Sequence, residues 1–264
     1  MMKRTFVTTL LFCLFSMTTV FAAQTSCPEH FANGQAPNLI NQKLSAKTKD
    51  LCYTGFALKH SGITRTPIYS AEHLTRDRLT MAKGMKRTSK FYPDPNIPAS
   101  ERAELRHYAR SGYDRGHVAP SGDMFDHQSQ QECFSLANMI PQEPSVNRGV
   151  WEGIESATRK LTNDRGELFV VTGPIYSGGN VQQIGGAVMV STQVYKAIYD
   201  PKRNEAGAYL VGNAEGAQAQ TITIAELEKV SGISVFPSIS SKVKDNGMRL
   251  PEPKERKRRG GRKI

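Results

Sequence analysis

The sequence predicts an α+β protein, a single mixed domain whose strands run mostly antiparallel. Short apolar or alternating runs recur between turn residues, one longer stretch has helical spacing, and no internal repeat or long linker divides the 264 residues. A chain of this length can bury an ordinary core.

Residues 24 to 51 are turn-rich, and residues 53–60 alternate enough to read as a strand, with 67–74 as a second. Residues 75 to 110 are basic and carry Pro93, Pro95 and Pro98, which predicts a loop and then a short helix over 99–109 with Ser100 as N-cap. Residues 147–161 place Val150, Trp151, Ile154, Ala157 and Leu161 on one helical stripe. Residues 168–174 read as a buried strand, and 187–199 with 208–211 as a hairpin turning at 200–204. A short helix is expected over Ile224–Ser231.

Hydrophobic residues make up 38% and charged residues 22%, which excludes collagen-like, low-complexity and disulfide-knot classes. The charge is the unusual term. A formal net charge of +11 makes a polyanion the first partner class to consider: nucleic acid, acidic glycan or anionic membrane. Residues 252–264 hold seven Lys/Arg and two Glu among Pro and Gly without apolar periodicity, so they are expected to form a basic disordered tail.

Lys3 and Arg4 precede an apolar run from Phe6 to Phe15, and small residues Ala22 and Ala23 precede Gln24. This is the pattern of a cleaved signal peptide over residues 1–23, and the run is too short for a membrane span of about 20 residues. The expectation is an exported chain, periplasmic or secreted, with no membrane attachment after cleavage and a domain spanning 24–251. Three cysteines then remain. Cys27 and Cys52 flank a poorly anchored loop and are expected to form a disulfide, while Cys133 sits in an apolar run and reads as a buried thiol.

Two segments carry chemistry. Asp114-Arg115-Gly116-His117 lies between turn signals and puts an imidazole, suited to proton transfer near neutral pH, beside a guanidinium suited to phosphate. Alone it is a weak motif. The second segment places Asn138 and Gln142 ahead of the helix that contains Asn147 and Glu155, eight residues apart and so on one face. An amide oxygen and a carboxylate there can hold a hard cation directly and through water. The alternative is a wet helix face with Asn147 as N-cap.

Together, DRGH followed some twenty residues later by N-M-I-P-Q-x(4)-N-R-G-x-W-x-x-x-E resembles the DNA/RNA non-specific endonucleases of the ββα-metal (His-Me finger) fold, over about residues 53 to 237. The resemblance implies a ββα-metal finger embedded in the mixed domain. It makes His117 the general base, Asn147 the direct ligand of Mg²⁺ acting as Lewis acid, and Glu155 a holder of metal-bound water. Arg115 would contact phosphate, with Asn138 and Gln142 beside it as substrate-side support. Arg87, in the R-x-x-x-F context Arg87 to Phe91, would stabilise the transition state. The implied reaction is Mg²⁺-dependent hydrolysis of DNA and RNA to 5′-phosphate ends with little sequence selectivity, Mn²⁺ serving as substitute. A homodimer and an inhibitor protein stay open as partners.

The competing readings are a catalytically retired nucleic-acid-binding protein on the same fold and a phosphodiesterase for small or lipid-linked esters. Retention of His117, Asn147 and Glu155 weighs against the first, and the basic body and tail weigh against the second.

Overall fold

The computed structural model describes residues 26–87, 90–179 and 181–254. The expected signal segment and residues 255–264 of the expected tail lie outside them.

Seven strands form the central sheet: β1 (Thr48–Cys52), β2 (Ala57–Ser61), β3 (Thr66–Thr75), and, after a separate β4 (Asp114–His117) and β5 (Met139–Gln142), β6 (Glu167–Ile175), β7 (Gln193–Asp200), β8 (Glu205–Gly212) and β9 (Ala219–Ile222). Their order is β9-β8-β7-β6-β3-β2-β1, every neighbour antiparallel. β6 holds the centre between β3 and β7, and all three carry long runs of consecutive buried residues, as strands covered on both faces require.

Register sorts the residues onto two faces. Thr172 pairs with Ser70 and Lys196, and Val170 with Glu72 and Ile198, so these six share a face by the two-residue period of a strand. That face, with Leu74, Leu168, Val194 and Val211, packs under Trp151, Ile154 and Leu161 of the long helix. The opposite face, with Tyr69, Val171, Tyr195 and Ala197, packs against Phe31, Ile224, Leu227 and Phe236.

The helices are α1 (Arg76–Ala82), α2 (Leu105–Tyr108), α3 (His127–Glu132), α4 (Glu152–Arg165), α5 (Ile224–Ser231) and α6 (Ser241–Asp245). α5 matches its expected bounds because Thr223 and Glu226 form a reciprocal capping box and Gly232, at φ +70°, ends it. The helix expected over 99–109 shrinks to α2, and Ser100 caps nothing; the Glu104 N–H instead bonds His107 Nδ1. β1 and α1 arise where loop was expected, β2 starts at Ala57 rather than 53, and β7 starts at Gln193 because Val188–Met189 pairs with Gln183–Ile184 in a small hairpin of its own.

The Cys27–Cys52 disulfide joins the entering chain to the end of β1, with His30 Nε2 hydrogen-bonded to the Tyr53 carbonyl at 3.0 Å, and Cys133 is a buried free thiol. The chain past residue 251 is not loose at once: Pro253 and Lys254 still touch α4 at Gly153.

Candidate active site

β4 and β5 form a short antiparallel ribbon in which Asp114 faces Gln142 and His117 faces Met139. With the helix that follows, this is a ββα unit laid against the sheet. Gly116 is required by packing: a Cβ there would collide with Gln142 Oε1 and lie 2.6 Å from Gln142 Cβ.

The turn after His117 is fixed from behind. Asn138 is fully buried, donates from Nδ2 to the carbonyls of Ala119 (2.8 Å) and Cys133 (3.0 Å), and accepts from the Ala119 N–H at 2.9 Å. Gln142 is equally buried, its amide without a partner among the described residues. The expected substrate contacts of Asn138 and Gln142 are therefore corrected. Neither residue lines the cleft: Asn138 braces the turn after His117, and Gln142 packs against Gly116 of the ribbon.

His117 is half-buried against Phe91 and Phe134, the latter edge-on at 5.0 Å, and Nε2 is buried without a hydrogen bond among the described residues. Burial foremost, and then the Arg87 cation, push its pKa down to about 3. The ring is thus neutral at physiological pH. Arg87 lies over the Phe134 ring at 4.8 Å and Arg115 over Phe91 at 4.3 Å, so the two aromatic rings that touch the imidazole each carry a guanidinium group.

Asp114 organises the other wall. Its carboxylate accepts from Arg148 through both Nε and Nη2, and from Asn147 Nδ2 at 2.9 Å. A carboxylate can only accept, so the NH₂ end of Asn147 is committed to Asp114 and its Oδ1 is left available. Asn147 is not the helix N-cap. The helical course starts earlier, at Pro144, where the Glu143 carboxylate accepts from the Val146 N–H at 2.9 Å. Between that start and α4, Asn147–Trp151 forms a widened π-type turn, with Gly149 at φ −116°, ψ −105°.

α4 then carries Glu152, Glu155 and Arg159 into the same cleft, whose volume is about 330 Å³ and whose rim includes Arg87, Arg115, His117, Ser121 and Asn147. Arg159 is held by buried Asp123 at 2.9 Å. Burial pushes Glu155 up to about 7 against the opposing pull of Arg159 and Lys196, with Asp123 and Glu152 adding repulsion. Larger clefts lie elsewhere, but this one gathers the imidazole, guanidinium groups, amide and carboxylates. His117, Arg87, Arg115, Asn147 and Glu155 are thus brought together as expected. Arg148, Glu152 and Arg159 were missed, although Arg159 stands four residues after Glu155 and Glu152 three before it, the helical-neighbour spacing that could have found them.

The donor set suits a hard divalent cation: one free amide oxygen, two carboxylates and room for water, with no cage of three or more His, Cys, Asp or Glu among the described residues.

The family model for DNA/RNA non-specific endonuclease matches residues 35–242. The chain belongs to that family. It is 34% identical over 214 residues to the mitochondrial nuclease EXOG of Homo sapiens, covering 73% of this chain and 58% of that protein, and 33% identical over 207 residues to nuclease C1 of Cunninghamella echinulata var. echinulata, covering 70% and 81%. Among solved structures, the crystal structure of the EndoG/EndoGI complex, described as showing the mechanism of EndoG inhibition, superposes with TM-score 0.69 at 26% identity, covering 74% of this chain and 88% of that one. The match supports the ββα-metal assignment. The chain spans about three-fifths of the length of the EXOG proteins it matches. Relatives from zebrafish, human, fission yeast and budding yeast are named as mitochondrial, which overturns the expectation of a periplasmic or secreted protein.

Proposed function

We propose that this nuclease-family chain hydrolyses phosphodiester bonds of DNA and RNA with little sequence selectivity, leaving 5′-phosphate ends. The observation that carries the reading is a neutral, half-buried His117 in the lining of a cleft that also holds Arg87 and Arg115. An imidazole held neutral in the cleft wall can accept a proton from water. The two guanidinium groups bind phosphate oxygens and stabilise the charge that grows on them. Asn147, through Oδ1, and Glu155, through water, would hold Mg²⁺ or its substitute Mn²⁺. The cation when bound supplies positive charge to the phosphate and the departing 3′ oxygen. Asp114, itself paired with Arg148, keeps Asn147 oriented, and the Arg159 cation favours the charged form of Glu155. Contacts of this kind address the backbone and not base edges, which accounts for the low selectivity.

The test is incubation of supercoiled plasmid and of a long RNA with Mg²⁺ and with EDTA, followed by 5′-end analysis. Cleavage of both substrates with Mg²⁺, abolished by EDTA, and ends that ligate without kinase treatment are expected. Binding without cleavage would transfer the chain to the retired, nucleic-acid-binding reading.

A further inference from the structure

Two chain segments far apart in sequence build the aromatic wall of His117. One brings Phe91 and the other Phe134, whose rings meet edge-on at 5.0 Å and both touch the imidazole. Backbone pairing between the segments is slight. Tyr92 bridges Ser135 in parallel, the Tyr92 N–H donating to the Phe134 carbonyl at 3.3 Å and the Leu136 N–H to the Tyr92 carbonyl at 2.8 Å. Pro93 and Pro95 follow without N–H donors, so this ladder cannot extend.

Asp94 stands between those prolines and is fully buried. Its Oδ2 accepts from the Ser135 hydroxyl at 2.6 Å and from the Tyr53 hydroxyl at 2.5 Å, and its Oδ1 accepts from the Asn96 N–H at 2.9 Å. Ser135 Oγ accepts in turn from the Ala137 N–H at 3.1 Å, in the turn that leads to Asn138. One carboxylate therefore joins three parts of the chain: its own segment three residues after Phe91, the segment of Phe134 through the next residue, and Tyr53 beside the disulfide-bonded Cys52. Arg102 holds the same segment from its backbone, donating to the Asp94 carbonyl at 3.2 Å and the Ile97 carbonyl at 3.3 Å.

Burying a carboxyl group is costly, and cohesion alone would be met by an apolar side chain. What the carboxylate adds is direction. It accepts at both oxygens, so it fixes two hydroxyls relative to one another and to its own backbone.

We propose that Asp94 is a positioning residue for His117: through Ser135 it clamps the Phe91 segment to the Phe134 segment, and so fixes the wall against which the imidazole rests and over which Arg87 and Arg115 lie. This rests on the reading of His117 as general base and adds a second layer behind it.

The experiment compares the wild type with Asp94→Ala, Ser135→Ala, the double variant, and Val243→Ala, which removes methyl groups from the core on the opposite face of the sheet. All are kept well below their melting temperatures. The ring protons of His117 are titrated by NMR in EDTA, and plasmid cleavage with Mg²⁺ gives kcat. Asp94→Ala and Ser135→Ala are expected to lower kcat by up to about 10²-fold, the scale for a displaced catalytic group, and to move the ring midpoint up toward 6.5 as water reaches the loosened imidazole. Val243→Ala should change neither. The double variant should lose no more than Asp94→Ala alone, because both substitutions break one link. Ser135→Ala removes a single oxygen and carries the test if Asp94→Ala does not fold. Losses that multiply in the double variant, or a midpoint shift in Val243→Ala as large as in the other two, overturn the clamp. A wild type that cleaves while both single variants keep its kcat and midpoint overturns this inference alone. A wild type that does not cleave overturns the nuclease reading and this inference with it.

Discussion

Asn147 donates its side-chain NH₂ to the Asp114 carboxylate at 2.9 Å, so one residue of the DRGH segment determines which end of the helix amide is offered to the cleft. The two motifs are therefore one device, joined by a hydrogen bond across 33 residues of sequence.

Because Glu143 and not Asn147 caps the helix, ligation and capping can be separated. Asn147→Ser is expected to keep the melting temperature within a few degrees and lose most activity, with partial rescue by excess Mg²⁺ or Mn²⁺. Glu143→Ala should instead cost about 1 kcal/mol of stability, as loss of a cap does. Thermal melts and metal titrations on both variants decide it. A Ser variant with normal rate and metal dependence would place the cation elsewhere.

His117→Ala should fold and bind DNA yet turn over about 10²–10⁴ more slowly. With its pKa pushed from 6.5 down to about 3, the ring stays neutral through the mildly acidic range, and the proton-accepting form is lost only far below pH 6.5. NMR titration of the ring protons in EDTA is expected to show no protonation at pH 5. A midpoint near 6.5 would contradict the buried environment.

Glu155 runs the other way. Its pKa rises on folding from 4.5 to about 7, so the folded state holds the proton more tightly; the stability this contributes is complete below pH 4.5 and lost as pH rises through 7. Without metal, Glu155→Gln should therefore gain on the wild type in thermal stability between pH 5 and 8 while losing activity. Parallel melting curves for the two proteins across that range would refute the shift.

Gly116→Ala forces a methyl group onto Gln142 and is expected to destabilise the fold by about 1–3 kcal/mol and impair activity. Gln142→Gly in the same chain removes both the amide and the Cβ in its way, and should recover part of that loss relative to Gln142→Gly alone. No recovery in the double variant, measured by denaturant unfolding, would show that the ribbon and not the side chain sets the limit.

β3, β6 and the β7–β8 hairpin were legible because their apolar runs are long and their turns carry Pro and Asn. β1 was not, since in Thr48–Cys52 only Leu51 is buried, as befits an edge strand, and α1 hides for the same reason, with Leu79 alone buried. At the site, His117, Asn147 and Glu155 were readable from spacing plus resemblance. The burial of Asn138 and Gln142 was not, because a motif records which residues recur and not which side of a turn they occupy. The buried Glu72 and Lys196 beneath α4 were invisible too, since strand alternation gives a face its polarity only after the sheet has been paired.

The helical course between Asn147 and Glu155 is not continuous: Gly149, at φ −116° and ψ −105°, kinks it within Asn147–Trp151. Eight residues of regular helix would rotate by about 800°, about 80° past two full revolutions. Because both side chains nevertheless line the one cleft, their relative aim is a property of the kink as well as of the spacing, and a motif scored by residue count alone passes over the backbone joint that couples its two halves.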